Sequence, residues 1–168
     1  MSHSPEFPVP NTSERDSDGR LIGLAFDSVP PLATQEENAW LVAVDGSDNA
    51  MRAVVHAVQQ ASEMKTCALH LVHVQPWLSR EAAEAELAHR AWLITERSRA
   101  LLDAKGQAWR LHVVMGDVAE GILHVAVKLR CRGIVIGRRG LGAAEGLLFG
   151  SITSKLMHLG GPPLAVVP

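Results

Sequence analysis

Trp40-Leu41-Val42-Ala43-Val44-Asp45-Gly46-Ser47 is a short unbroken apolar run closed by an acid, a glycine and a serine. An apolar run without alternation is the pattern of a strand covered on both faces, as strands of a parallel sheet are. The period then changes: between Asp48 and Met64, Ala50, Val54, Val58 and Ala61 recur at helical spacing. Strand, acidic turn and helix in that order set the pattern for the rest of the chain.

Leu69-His70-Leu71-Val72-His73-Val74 predicts a second strand, ended by Pro76. Ser79 to Lys105 reads as one long helix, with Ser79 as N-cap, Glu81 and Glu84 near its positive end, and Gly106 just beyond it. Trp109 to Val114 predicts a third strand, closed by Gly116. Asp117 then caps a helix in which Val118, Ile122, Val125 and Leu129 share a face, and Glu120 stands three residues after the cap. Ile134-Val135-Ile136 predicts a fourth strand, followed by a glycine-rich stretch from Gly137 to Gly150 and a helix from about Ser151. Leu164-Ala165-Val166-Val167, entered through Gly160-Gly161-Pro162-Pro163, predicts the last strand. Five strands alternating with four helices imply an α/β fold, a mostly parallel sheet with helices on both faces.

Residues 1–38 differ in kind. They are rich in Pro, Ser, Asp and Glu around one apolar island, Leu21-Ile22-Gly23-Leu24-Ala25-Phe26. Such composition buries little by itself, so an extension of weak intrinsic order is expected ahead of a domain at residues 39–168. The island adds a strand or an arm to the main body or to a partner, or belongs to a loosely attached tail.

At 168 residues the chain has room for one domain and a tail, with enough core to fold unstapled. A formal net charge of −2 argues against nucleic-acid binding, which needs a strongly basic footprint, but leaves small anions open. Cys67 and Cys131 lie far apart with no C-x-x-C spacing, so buried inert thiols in a reducing cytoplasm are expected rather than a zinc or redox pair. No apolar stretch is long enough to cross a bilayer, and no secretory signal is expected.

Parallel sheets of this kind take ligands at the carboxyl ends of their strands, where the strand order reverses. Asp45-Gly46-Ser47 follows the first strand; Gly137-Arg138-Arg139-Gly140 follows the fourth, and Gly150-Ser151 opens a helix. Glycines let the backbone approach a phosphate, and a helix start adds unpaired N–H groups and the positive end of the helix dipole. The Ser151 hydroxyl is a further donor, and Arg138 and Arg139 add charge or are simply solvated.

The spacing G-x2-G-x9-G-S resembles the nucleotide-binding signature of the universal stress protein family. Val42-Ala43-Val44-Asp45-Gly46-Ser47, Met115-Gly116-Asp117 and the closing Leu164-Ala165-Val166-Val167 resemble its other fixed points, so the likeness covers Trp40 to Pro168. The resemblance implies a Rossmann-like fold of the adenine nucleotide alpha hydrolase type, a five-stranded parallel sheet in the order 3-2-1-4-5. It implies a nucleotide site made of Asp45, Val74, Gly137, Gly140, Gly150 and Ser151. Asp45 would meet the ribose or a metal on the phosphates, Val74 the base, and Gly140, Gly150 and Ser151 the phosphates. An Asp there also commonly starts a turn. The implied ligand is ATP, with AMP and ADP as further candidates and Mg2+ on the phosphates. The implied assembly is a homodimer through the last strand (Leu164, Val166). Two features depart from the family's usual pattern: the Gly160-Gly161-Pro162-Pro163 entry to the last strand, and the N-terminal extension.

Three roles are carried forward: a regulatory ATP-binding module acting on an unidentified protein partner, a slow ATPase, and a dimeric stress scaffold without nucleotide. The sequence contains no P-loop, no G-x-S-x-G elbow and no H-E-x-x-H. No catalytic or metal-ligating residue is assigned. His70 and His73, three apart on a strand, point to opposite faces and are expected to be core histidines.

Overall fold

The run at Trp40 lies inside the sheet, with a parallel strand on either side. The computed structural model describes residues 7–33, 37–139 and 148–168. In chain order the elements are β1 (Thr12–Arg15), β2 (Leu21–Asp27), β3 (Ala39–Ala43), α1 (Asp48–Ser62), β4 (Ala68–Gln75), α2 (Arg80–Ile94), α3 (Glu96–Ala104), β5 (Arg110–Met115), α4 (Val118–Lys128), β6 (Gly133–Gly137), α5 (Ser151–Leu159) and β7 (Leu164–Val167).

Among the described residues the strands form one sheet in the order β1-β2-β5-β4-β3-β6-β7. β3 lies parallel to β4 and β6, β4 parallel to β5, and β6 parallel to β7. These five are the strands expected from the sequence, and their order is the one the resemblance implied. The expectation of a five-stranded, all-parallel sheet is nevertheless corrected: the sheet has seven strands and is mixed. β2 runs antiparallel along β5 and β1 antiparallel along β2. The physical reason is the open edge of β5, whose unpaired backbone groups accept the apolar island Leu21–Phe26 as a strand. Leu21, Leu24 and Phe26 are buried there, Phe26 against Trp92 with ring centroids 5.1 Å apart. Each such side chain contributes about 1.5–3 kcal/mol by leaving water.

The core is split by the sheet. On one face α1, α2 and α3 cover Val42, Val44, Leu69, Leu71, Leu111 and Val113; on the other α4 and α5 cover Leu41, Ala43, Val72, Val74, Ile134 and Ile136. Three helices start on side-chain caps: Ser47 accepts from the Ala50 N–H, Ser79 from that of Ala82, and Asp117 from that of Glu120.

The long helix expected from Ser79 to Lys105 is two helices, α2 and α3, broken at Thr95. Thr95 is fully buried, and its Oγ1 donates to the Ala91 carbonyl at 2.7 Å. A threonine bonded back to the preceding turn bends a helix. Arg99 completes the break: its Nε donates to Thr95 Oγ1 at 3.1 Å and its guanidinium to the Trp92 carbonyl at 2.6 Å. The periodicity of an amphipathic helix runs through such a bend, which is why it was not visible in the pattern.

The two strand histidines point to opposite sides. His70 Nδ1 meets His112 Nε2 at 2.9 Å, and His73 Nδ1 meets the Val44 carbonyl at 3.0 Å. No helix among the described residues is long and apolar enough to cross a membrane.

Candidate functional site

β3 and β6 are neighbours, yet the chain leaves β3 into α1 on one face and returns from β6 through α5 on the other. Between their carboxyl ends, where such sheets open, lies a cleft of about 410 Å3. Its walls are apolar, chiefly Val72, Val74, Val118, Ile122, Ile136 and Ile152, and its polar groups gather where β3 and β6 end.

Asp45 stands at the end of β3. Its Oδ1 accepts the Ser47 N–H at 2.9 Å, and Ser47 Oγ in turn accepts the Ala50 N–H at 3.0 Å. This short turn needs Gly46, whose φ of +80° is costly for any residue with a Cβ. The turn role of Asp45 and its place in the cleft therefore coexist.

Gly137 ends β6 under the first turn of α1, and its carbonyl accepts from Thr153 Oγ1 at 3.1 Å. This ties α5 to the strand end. Gly150 is the N-cap of α5, its own N–H bonded to the Arg138 carbonyl at 2.9 Å, and it supplies no side-chain cap. The first turn of α5 thus presents Ser151, Ile152 and Thr153 to the cleft without a side chain closing its end. Arg139 lines the same space. A carboxylate, a guanidinium and an uncapped helix start on one apolar cleft suit a ligand with an apolar ring, hydroxyls and an anionic tail.

Of the residues picked from sequence, Asp45, Val74, Gly137, Gly150 and Ser151 all line this cleft. Gly140 lies outside the described residues. Sequence reasoning passed over Gln75 and Pro76, although they follow the second strand and the rule applied to the first and fourth would have found them. It assigned Val118 and Ile122 to packing only; both face the cleft from α4. Ile94, at the end of α2, carried no signal at all. His73 also borders the cleft; burial holds its imidazole below the ordinary range, and its Nε2 has no hydrogen-bond partner among the described residues. No cluster of His, Cys, Asp and Glu that would hold a metal by itself occurs among the described residues.

Residues 40–168 match a family model described as the universal stress protein family. A universal stress protein of Thermus aquaticus is 33% identical over 131 residues, spanning 76% of this chain and 96% of that protein. Universal stress protein Rv1996 of Mycobacterium tuberculosis is 26% identical over 162 residues, spanning 82% of this chain. This chain covers 50% of that protein, so it spans about half the length of the mycobacterial relatives it matches. Among solved structures, the universal stress protein from Archaeoglobus fulgidus in complex with dAMP superposes with a TM-score of 0.63 at 20% identity, over 79% of this chain and 99% of that one. A universal stress protein in complex with cAMP superposes with a TM-score of 0.65 at 21% identity, over 78% of this chain and 97% of that one. These likenesses establish the fold; β1 and β2 fall outside the residues that the family model matches.

Proposed function

The chain belongs to the universal stress protein family, and from that premise we propose that its cleft binds an adenine nucleotide, ATP first among them, and that the bound state governs contact with a regulatory protein partner. The observation that carries this reading is the convergence of Asp45, Val74, Gly137, Gly150 and Ser151 on one cleft with an uncapped helix start. The solved relatives carrying dAMP and cAMP support the adenine class.

In this reading the base lies against Val72, Val74 and Ile136, and the Asp45 carboxylate accepts from the ribose hydroxyls. The phosphates meet the N–H groups at the start of α5, the Ser151 hydroxyl and Arg139. Mg2+ fits as an ion held mainly by phosphate and water, with Asp45 as its one protein carboxylate; it would neutralise phosphate charge. No lysine lines the cleft among the described residues, and His73 has its Nδ1 turned to the Val44 carbonyl. The role proposed is therefore binding and signalling, with turnover slow at most. A cytoplasmic homodimer paired through β7 completes the proposal.

The test is to denature freshly purified protein, identify any released nucleotide, and titrate ATP against wild type and Asp45→Ala/Ser151→Ala. Stoichiometric ATP, or saturable binding lost in the double variant, supports the reading. A folded wild type that binds no adenine nucleotide sinks it and favours the nucleotide-free scaffold.

A further inference from the structure

The turn joining β1 to β2 packs on the connection that follows Gln75 and Pro76, two residues of the cleft lining. Asp16 Oδ1 accepts the N–H groups of Asp18 and Arg20, both at 2.9 Å, which fixes the backbone of the turn. Arg80, the first residue of α2, donates to the Asp18 carbonyl at 2.6 Å. Arg20 donates to the Leu78 carbonyl at 2.8 Å, and its guanidinium stands 5.0 Å from the centre of the Trp77 ring.

Trp77 is 60% exposed, so burial alone does not explain its position. Its indole also rests beside Gly116, where a Cβ would lie 3.4 Å from Nε1. Gly116 donates to the Gln75 carbonyl at 2.9 Å. Arg20 and Trp77 therefore join two segments that shape the cleft: Gln75-Pro76 at the end of β4, and the turn leading into Val118 and Ile122 of α4. The connection Pro76-Trp77-Leu78 has no regular structure of its own, and the Leu78 carbonyl takes the bond from Arg20.

From this geometry we infer that Arg20 is a positioning residue for the cleft, bracing the β4–α2 connection against the β5–α4 turn so that the rim discriminates one base from another. The inference rests on the nucleotide reading above. It assigns a role to the N-terminal hairpin, which lies outside the stretch matched by the family. In the nucleotide reading the Gln75-Pro76 rim continues from Val74 on the base side, two strands from β6, which leads to the phosphate end at α5. Loosening it therefore acts on base preference rather than on phosphate binding.

The experiment compares ATP and GTP affinities of the full chain as wild type, Arg20→Ala and Arg20→Lys, with amide hydrogen exchange at residues 75–79. Arg20→Ala should weaken ATP binding about tenfold and leave GTP within about twofold, with faster exchange in the connection. Arg20→Lys, which keeps a cation for Trp77 and a donor for Leu78, should recover most of the ATP preference. An unchanged ratio in Arg20→Ala, an equal loss for both nucleotides, or a wild type indifferent to the base overturns the brace. If ATP binds wild type and Arg20→Ala alike, only the brace falls; if wild type binds neither nucleotide, the nucleotide reading falls with it. Should Arg20→Ala fail to fold, Arg20→Gln keeps the donor to Leu78 without the cation and carries the same comparison.

Discussion

Gly137 and Asn49 touch where β6 meets the first turn of α1: a Cβ on Gly137 would lie 2.7 Å from the Asn49 carbonyl oxygen. The obstructing atom is backbone, so neither side yields cheaply. Gly137→Ala should force α1 away from β6 and lower stability by about 1–3 kcal/mol, the usual cost of overpacking. Because the Gly137 carbonyl also holds Thr153, the same substitution should displace the start of α5 and weaken any anion bound there. Urea denaturation together with nucleotide titration checks both halves; a variant of wild-type stability would mean the helix moves freely.

Burial pushes the His112 imidazole down to about 3, and repulsion from His70, Arg110 and Lys128 works in the same direction. Folding therefore favours the neutral ring, while the unfolded chain takes up a proton near pH 6.5. The stability this provides is complete above about pH 6.5 and is lost progressively as pH falls toward 3. His73, also held neutral by burial, adds to the same trend. The free energy of unfolding should fall between pH 7 and 5, by up to about 1.4 kcal/mol per pH unit for His112 alone. His112→Gln, which retains a hydrogen-bonding group for His70, should flatten that slope. A slope identical in the variant would assign the effect to other groups.

β7 pairs with β6 on one side and with nothing else among the described residues. Leu164 and Val166 on it are half-buried. Pairing of β7 with its copy would satisfy the open edge. Light scattering at micromolar concentration should give a dimer for wild type and a monomer for Val166→Asp, with the far-ultraviolet spectrum unchanged. A monomeric wild type contradicts the pairing.

The strand–helix alternation was legible because local periodicity carries it. Trp40–Val44, Leu69–Val74 and Ile134–Ile136 are too short and too apolar to be anything but buried strands between helical stretches. The strand ends were legible for a second reason: Asp45, Gly137 and Gly150 mark sharp changes of period, and sites of this fold sit at such changes. What stayed hidden depends on contacts between distant residues. β2 finds its partner β5 more than eighty positions away, and nothing in Leu21–Phe26 names that partner. The bend at Thr95 needs Arg99 to reach the Trp92 carbonyl, a bond that leaves the helical period intact. Ile94 faces the cleft only because that bend ends α2 beside Gly46.

The hairpin that covers β5 leaves the sheet with two unlike borders. Thr12, Ser13, Glu14 and Arg15 on β1 are all exposed and polar. Glu14 pairs with Lys128 and Arg15 with Glu84, so charged side chains line the outermost strand and disfavour a further strand docking there. A sheet with one receptive border and one refractory border can add a single neighbour and then stops. Copies joined through β7 would present only β1 to the outside, which closes the pair against growth into a fibre. If copies join through β7, the N-terminal hairpin would act as a chain terminator for that assembly, whatever occupies the cleft.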